Sequence, residues 1–166
     1  TNREIRDEVI FSDILDTDTY DQIYGQFRLN AGTSDFIVGF LSFTEDQLIV
    51  FNRNSIHLIT DSLNLRAAQS KLITNEVGCL ARNTIVKVGN QVMFLSDNGM
   101  YSLDFQDLYN LRGNDMPFSA NIEKTINRIN KDVISNCLGV YFDNKYYLAV
   151  PLDSSINNNG LIVYNF

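Results

Sequence analysis

Proton transfer, nucleophilic attack and metal binding each need particular side chains at workable spacing, and this chain offers few. His57 is the single histidine, and its ordinary pKa would suit a base near neutral pH. It sits inside the apolar run Ile56-His57-Leu58-Ile59, where it reads as part of a strand. No Ser-x-Gly nucleophile elbow, His-Glu-x-x-His pair or glycine-rich phosphate loop accompanies it. Cys79 and Cys137 lack metal-ligand spacing and read as small buried thiols; a disulfide between them stays open. The acidic stretch with Asp13, Asp16, Asp18 and Asp21 supplies the hard oxygens that calcium prefers. Only Asp16 and Asp18 alternate, and no glycine lies between them and Asp21, so a solvated loop is expected there. Tyr141, Tyr146, Tyr147 and Tyr164 cluster near the end of the sequence, and stacked rings can hold sugars or bases. Tyr146 and Tyr147 are adjacent in a strand and point to opposite faces, which makes them core on both sides. No catalytic, cofactor-binding or metal residue is assigned, and no cofactor is expected.

These side chains would be positioned by a repeated β unit. The stretch Asn90 to Asp104 opens on a polar pair, Asn90-Gln91, and runs through Val92-Met93-Phe94-Leu95. It turns on Asp97-Asn98-Gly99 and returns as Met100-Tyr101-Ser102-Leu103. Asn-Gly between apolar runs is a strong hairpin signal, because both residues tolerate positive φ. The same unit starts at Asp46-Gln47, with Leu48 to Phe51, a turn at Arg53-Asn54-Ser55, and Ile56 to Ile59. It starts again at Asn144-Lys145, with Tyr146 to Val150, a loop ending Asn159-Gly160, and Leu161 to Tyr164. A partial fourth copy, Asp7-Glu8 followed by Val9-Ile10-Phe11, lies near the beginning.

The polar pairs begin at 7, 46, 90 and 144, a period of about 40 to 55 residues that suits β-propeller blades. The first strand of each hairpin is apolar at consecutive positions, the mark of a strand buried on both faces. The fold expected is therefore all-β: three to four propeller blades of short antiparallel strands, with residues 1–166 forming a single propeller region. Phe36 to Phe40 should precede the Asp46 hairpin as a strand, and Lys71 to Thr74 should be an outer strand. Between the third and fourth units, Ile122, Ile126 and Ile129 mark one apolar helix face, with Ser119 as its N-cap. A short inserted helix over about 120–130 is expected. Pro151 should end the strand before it, since it cannot donate to a ladder.

Composition excludes several classes. At 45% apolar and 20% charged, the chain is not a disordered one. No apolar run approaches the ~20 residues that cross a bilayer, and the opening TNREIRDEV is not a signal peptide. A start on Thr1 and a truncated first repeat lead us to expect a piece of a longer polypeptide. A net charge of −7 disfavours a nucleic-acid reader and a polybasic membrane surface. A propeller glycosidase of the sialidase type would gather several arginines around a carboxylate. Arg28, Arg53, Arg66, Arg82, Arg112 and Arg128 share no motif, and Ser96-Asp97-Asn98-Gly99 lacks the aromatic residue of the Asp-box turn it resembles.

A more specific likeness runs along most of the chain. Asp7 to Asp13, FRLNAG from Phe27 to Gly32, and the following DFIVGFLSFTEDQLIVFNRNSIHLIT resemble the propeller region of the tail nozzle proteins of short-tailed phages, also called tail tubular protein B. VGCLARNTIVKVGNQVMFLSDNGMYSL from Val77 to Leu103 is similar to the same family. So is the ending, from Met116-Pro117-Phe118-Ser119 through Ala149-Val150-Pro151 to Leu161-Ile162-Val163-Tyr164-Asn165. The resemblance implies a non-enzymatic virion protein. Copies of the chain would form a ring or tube below the portal, against the head–tail adaptor or other tail proteins, and DNA would pass through without specific binding. The alternatives are a propeller scaffold for protein interactions, without the Trp-Asp signature, and a carbohydrate-binding or glycosidase propeller.

Overall fold

A computed structural model describes residues 6–13, 15–21, 23–64, 66–104 and 117–166. Arg112 and Met116 lie outside the described residues. The chain divides into two compact units, Thr1–Gly78 and Cys79–Phe166.

In the first unit, β1 (Glu8–Ile10) pairs with β4 (Gln26–Arg28), and between them β2 (Ser12–Asp13) pairs with β3 (Asp16–Tyr20). A four-stranded antiparallel meander follows: β5 (Ile37–Thr44), β6 (Gln47–Asn52), β7 (Ile56–Thr60) and β8 (Gln69–Thr74). One core cluster of the unit is Leu29, Val50 and Ile59, with Val9, Phe11, Phe27, Ile37 and Leu48 against it, and Ile49, Phe51, Ile56 and Leu58 are buried as well. Phe36 to Phe40 thus leads into β5, and Lys71 to Thr74 lies in the outermost strand. The fourth repeat near the beginning is not a meander of this kind, because Val9 and Ile10 sit in a ladder with Phe27 and Gln26.

The second unit holds two three-stranded meanders. β9 (Val86–Val88), β10 (Gln91–Ser96) and β11 (Gly99–Asp104) form one. β12 (Leu138–Phe142), β13 (Lys145–Val150) and β14 (Gly160–Asn165) form the other. They share a core in which Met93, Leu95 and Met100 meet Tyr146, Leu148, Val150 and Ile162. The protein is all-β, built of short antiparallel sheets with one short helix.

Each polar pair has the same place in all three meanders. Its first residue ends a two-residue turn, and its second opens the central strand: Glu45-Asp46 before β6, Gly89-Asn90 before β10, Asp143-Asn144 before β13. Asp143 and Asn144 both have positive φ, 48° and 56°, as a type I′ hairpin turn requires. The turn at the other end of β10 differs from expectation. Ser96 pairs with Gly99, so the turn residues are Asp97 and Asn98, and positive φ (139°) falls on Gly99 alone.

That glycine also lets a neighbouring segment approach. A Cβ at Gly99 would stand against the Ser119 hydroxyl and within 3.0 Å of Pro117 Cβ. Gly99→Ala is therefore expected to cost about 2–3 kcal/mol, from backbone strain and overpacking together, read as a lower denaturant midpoint.

Burial separates the central strands. β6 and β10 are buried at consecutive positions, Ile49 to Asn52 and Val92 to Ser96. β13 instead alternates: Tyr146, Leu148 and Val150 are buried while Tyr147 and Ala149 are half-buried. Its apolar run is thus covered fully on one face only.

The inserted helix is shorter than its isoleucine spacing suggested. A 3-10 turn at Ala120–Ile122 leads into α1, Glu123–Ile126. Ser119 does not cap it; its Oγ accepts instead from the amide of Met100 at 2.9 Å. Ile126 and Ile129 are buried, whereas Ile122 is 38% exposed. Asn130 ends the helical stretch by turning its side chain onto the amide of Asp132 (3.1 Å), which starts a second 3-10 turn, Lys131–Asn136.

Candidate functional site

The densest buried polar cluster among the described residues is in the first unit, around Asp35. Ser55 and His57 are two apart at the start of β7, so their side chains share one face of the strand. The chain reverses through Asn30, whose φ is 57°, and Gly32, at 85°. This reversal brings Asp35 onto that face. Its Oδ2 accepts from Ser55 Oγ (2.7 Å) and Asn30 Nδ2 (3.1 Å). Its Oδ1 accepts from the amides of Asn54 (2.9 Å) and Phe36 (3.1 Å).

Ser55 Oγ has one hydrogen and two lone pairs but four neighbours. The hydrogen goes to Asp35, and Asn30 Nδ2 (2.7 Å) and Asn52 Nδ2 (3.1 Å) donate to the lone pairs. His57 Nε2 lies 3.2 Å from the same oxygen. Burial pushes the His57 pKa below its ordinary 6.5, partly opposed by the Asp35 charge. Burial by itself would raise Asp35, but hydrogen bonds from Ser55, the Asn54 amide, Asn30 and the Phe36 amide outweigh it and hold the carboxyl below 3.8.

The cluster contains serine, histidine and aspartate, yet their order is wrong for acyl transfer. In a catalytic triad the imidazole takes the serine proton and the acid orients the imidazole. Here the acid itself holds the serine, which is 1% exposed. The arrangement fastens the 30–36 loop to the β6–β7 hairpin; it does not activate a nucleophile.

A pH dependence follows. The unfolded chain protonates His57 near 6.5, whereas the folded chain resists, so the unfolded state binds more protons and stability falls as pH drops through that value. Asp35 has a folded pKa below its unfolded one, so its contribution is lost at lower pH, below about 3.8. The unfolding midpoint is expected to fall in two separate steps, and His57→Gln should remove only the upper one, by thermal melts across pH 3 to 8.

The other expected residues go elsewhere. Arg28 binds Asp7 at 3.0 Å, and Arg128 grips both oxygens of Asp153 at 2.9 and 2.8 Å. Arg66 lies 5.7 Å over the Tyr24 ring. Arg53 follows β6, and Arg82 opens a 3-10 turn. Asp16 and Asp18 belong to β3, and Asp21 Oδ1 accepts from the amides of Ile23 and Tyr24, which hold its pKa down. Among the described residues no three metal-binding side chains gather, and no helix is long and apolar enough to cross a membrane.

Cys79 and Cys137 are both buried, and no disulfide joins them. Burial pushes the Cys137 thiol up to about 11, which leaves little thiolate at neutral pH.

The tyrosines divide. Tyr146 is core, its hydroxyl donating to the carbonyl of Thr84 at 2.8 Å. Tyr141 and Tyr164 stay partly exposed and meet Phe166 edge-to-face at 6.0 and 4.9 Å, so they are not core. Tyr141 and Phe166 line an open hollow of about 290 Å³ with Asn90, Gln91, Asp104 and Asn144.

No family model and no curated protein matches the chain. The functional reading therefore rests on the repeated sheets and on these side chains.

Sequence signals for the Asp35 cluster were uneven. Ser55 reads as a turn residue and His57 as part of the strand after it, whereas Asp35 and Asn30 reach them only through the loop.

Proposed function

We propose that the protein is a structural, non-enzymatic part of a short-tailed phage tail, a blade-bearing region of the nozzle through which the genome leaves the virion. The observation that carries this reading is the thrice-repeated meander. In each, a polar two-residue turn opens an apolar central strand. Repetition of one such unit supports blades of a propeller, whose sheets gain stability by stacking on one another. The likeness of residues 7–13, 27–60, 77–103 and 116–165 to the nozzle family gives the blades their setting.

Copies of the chain assemble as a ring, in contact with the head–tail adaptor or other tail proteins. A conduit should not grip its cargo, and each Lys or Arg that neutralises a phosphate adds salt-dependent affinity. A net charge of −7 adds little such affinity. The test is assembly together with DNA affinity. Sedimentation should find a ring of several subunits, and duplex DNA should fail to bind at low salt. A strictly monomeric protein, or one that binds DNA tightly, would overturn the reading.

One observation favours a second reading. The hollow lined by Asp104, Asn90, Gln91 and Asn144 with Tyr141 and Phe166 mixes hydrogen-bonding groups with aromatic faces, as a sugar site does. A clear signal on a glycan array would promote it.

A further inference from the structure

Four aromatic rings stand in a row in the second unit. Phe118 meets Tyr164 edge-to-face at 4.9 Å, Tyr164 meets Phe166 at 4.9 Å, and Phe166 meets Tyr141 at 6.0 Å. Such rings dominate cores and interfaces, yet Tyr141, Tyr164 and Phe166 are 38%, 38% and 43% exposed. The row also joins two hollows. Tyr141 and Phe166 line the one of about 290 Å³, and Phe118 and Tyr164 line another of about 180 Å³.

Each hollow sets hydrogen-bonding groups beside its rings. In the larger they are Asn90, Gln91, Asn144 and Asp104; in the smaller they are Ser119 and Asn121, among Met100, Ile122, Ile162 and Val163. Asn144 fastens the rings of the larger hollow. Its Oδ1 accepts from the Tyr141 hydroxyl (3.3 Å), and its Nδ2 donates to the Phe166 carbonyl (3.0 Å). Rings fixed in advance spare a ligand part of the entropy cost of binding. Exposed ring faces suit sugars, bases or cations, and charge chooses among them. Of the described residues that line the two hollows, Asp104 alone is charged, and the chain carries −7. Phosphates are therefore repelled. The smaller hollow has no acid to hold a cation. Amides and a serine suit neutral hydroxyls, which both donate and accept.

We propose that a neutral oligosaccharide lies along this row, with one pyranose ring in each hollow and the chain between them stacked on Tyr164 and Phe166. A cavity of ~150 Å³ holds a six-membered ring the size of benzene, so each hollow admits one sugar ring. The aromatic faces give affinity, and the few polar groups at the two ends give orientation and selectivity. The inference rests on the sugar reading of the larger hollow and extends it from a single ring to a chain. It does not depend on the phage reading.

The probes are β-1,4-linked oligomers of glucose, mannose, xylose and N-acetylglucosamine, of one, two and four rings, titrated into the whole chain and followed by protein NMR. At least one series should bind saturably, its tetramer at least about tenfold tighter than its single ring. The single ring should shift the signals of Tyr141 and Phe166, and the tetramer those of Phe118 as well. Tyr164→Ala should bring the tetramer down to the affinity of the single ring, whereas Tyr164→Phe, which keeps the stacking face, should not. Asn121→Ala, at an exposed position, should weaken the tetramer and spare the single ring. Single rings that bind with no gain from length would overturn the chain and leave the sugar reading of the hollow standing. No binding in any series, or tighter binding by single-stranded DNA than by any sugar, would overturn both.

Discussion

Tyr146→Ala is expected to destabilise the second unit by about 3–5 kcal/mol, the range for losing a large buried aromatic side chain. Tyr146 is 0% exposed, lies between the two meanders, and belongs to one core with Met93, Leu95 and Met100. Its hydroxyl ties β13 to the Thr84 carbonyl, 62 residues away in sequence. Burial raises its pKa far above that of a free tyrosine, and the nearby Cys79 and Cys137 add to the shift. Two milder changes separate packing from hydrogen bonding. Tyr146→Phe keeps the ring and strands the carbonyl, costing about 1–3 kcal/mol. Gly139→Ala keeps the tyrosine and crowds it, because a Cβ there would come within 3.0 Å of the ring and hydroxyl; overpacking of that kind costs about 1–3 kcal/mol. Denaturant melts of the three variants should rank Ala at 146 as the worst. Equal losses for Tyr146→Phe and Tyr146→Ala would mean that the ring contributes nothing.

Asp35→Ala is the second large effect, expected at about 4 kcal/mol, because it removes the acceptor for five donors at once, the long contact from Asn54 Nδ2 (3.4 Å) included. Ser55, Asn30 and the amides of Asn54 and Phe36 would all lose their partner. Asp35→Asn should recover part of the loss, since one oxygen remains while the new amide faces donors. Ser55→Ala should lower stability without altering any hydrolytic activity, because the serine proton is held by the acid. A loss below about 1 kcal/mol for Asp35→Ala would show that the loop is fastened by something else.

Strand positions were readable because the signals are local. A polar pair followed by four apolar residues marked each central strand, and the structure places that pair at the same corner three times. Turn chemistry was less readable. Asn98-Gly99 looked like a type I′ hairpin, yet positive φ at both turn residues occurs at Asp143-Asn144, and Gly99 instead makes room for Pro117 and Ser119.

The helix is shorter than the isoleucine spacing implies for a physical reason. Ile122, Ile126 and Ile129 have helical spacing, but Ser119 is drawn to the β11 edge and Asn130 favours its own turn, so little more than one turn remains. Burial of β13 on one face only could not be seen in a run as apolar as those of β6 and β10. The Asp35 cluster depends on Asn30 adopting a left-handed conformation, and nothing in the spacing of Asp35 and His57 announces it.

Under the proposed function, the repeated meanders would stack as blades and copies of the chain would assemble into a ring. Electron cryomicroscopy of the purified protein tests that most directly. The expected image is a ring of several subunits in which β5–β8, β9–β11 and β12–β14 radiate as successive blades about one axis. Single subunits whose sheets face each other as two opposed layers would contradict it.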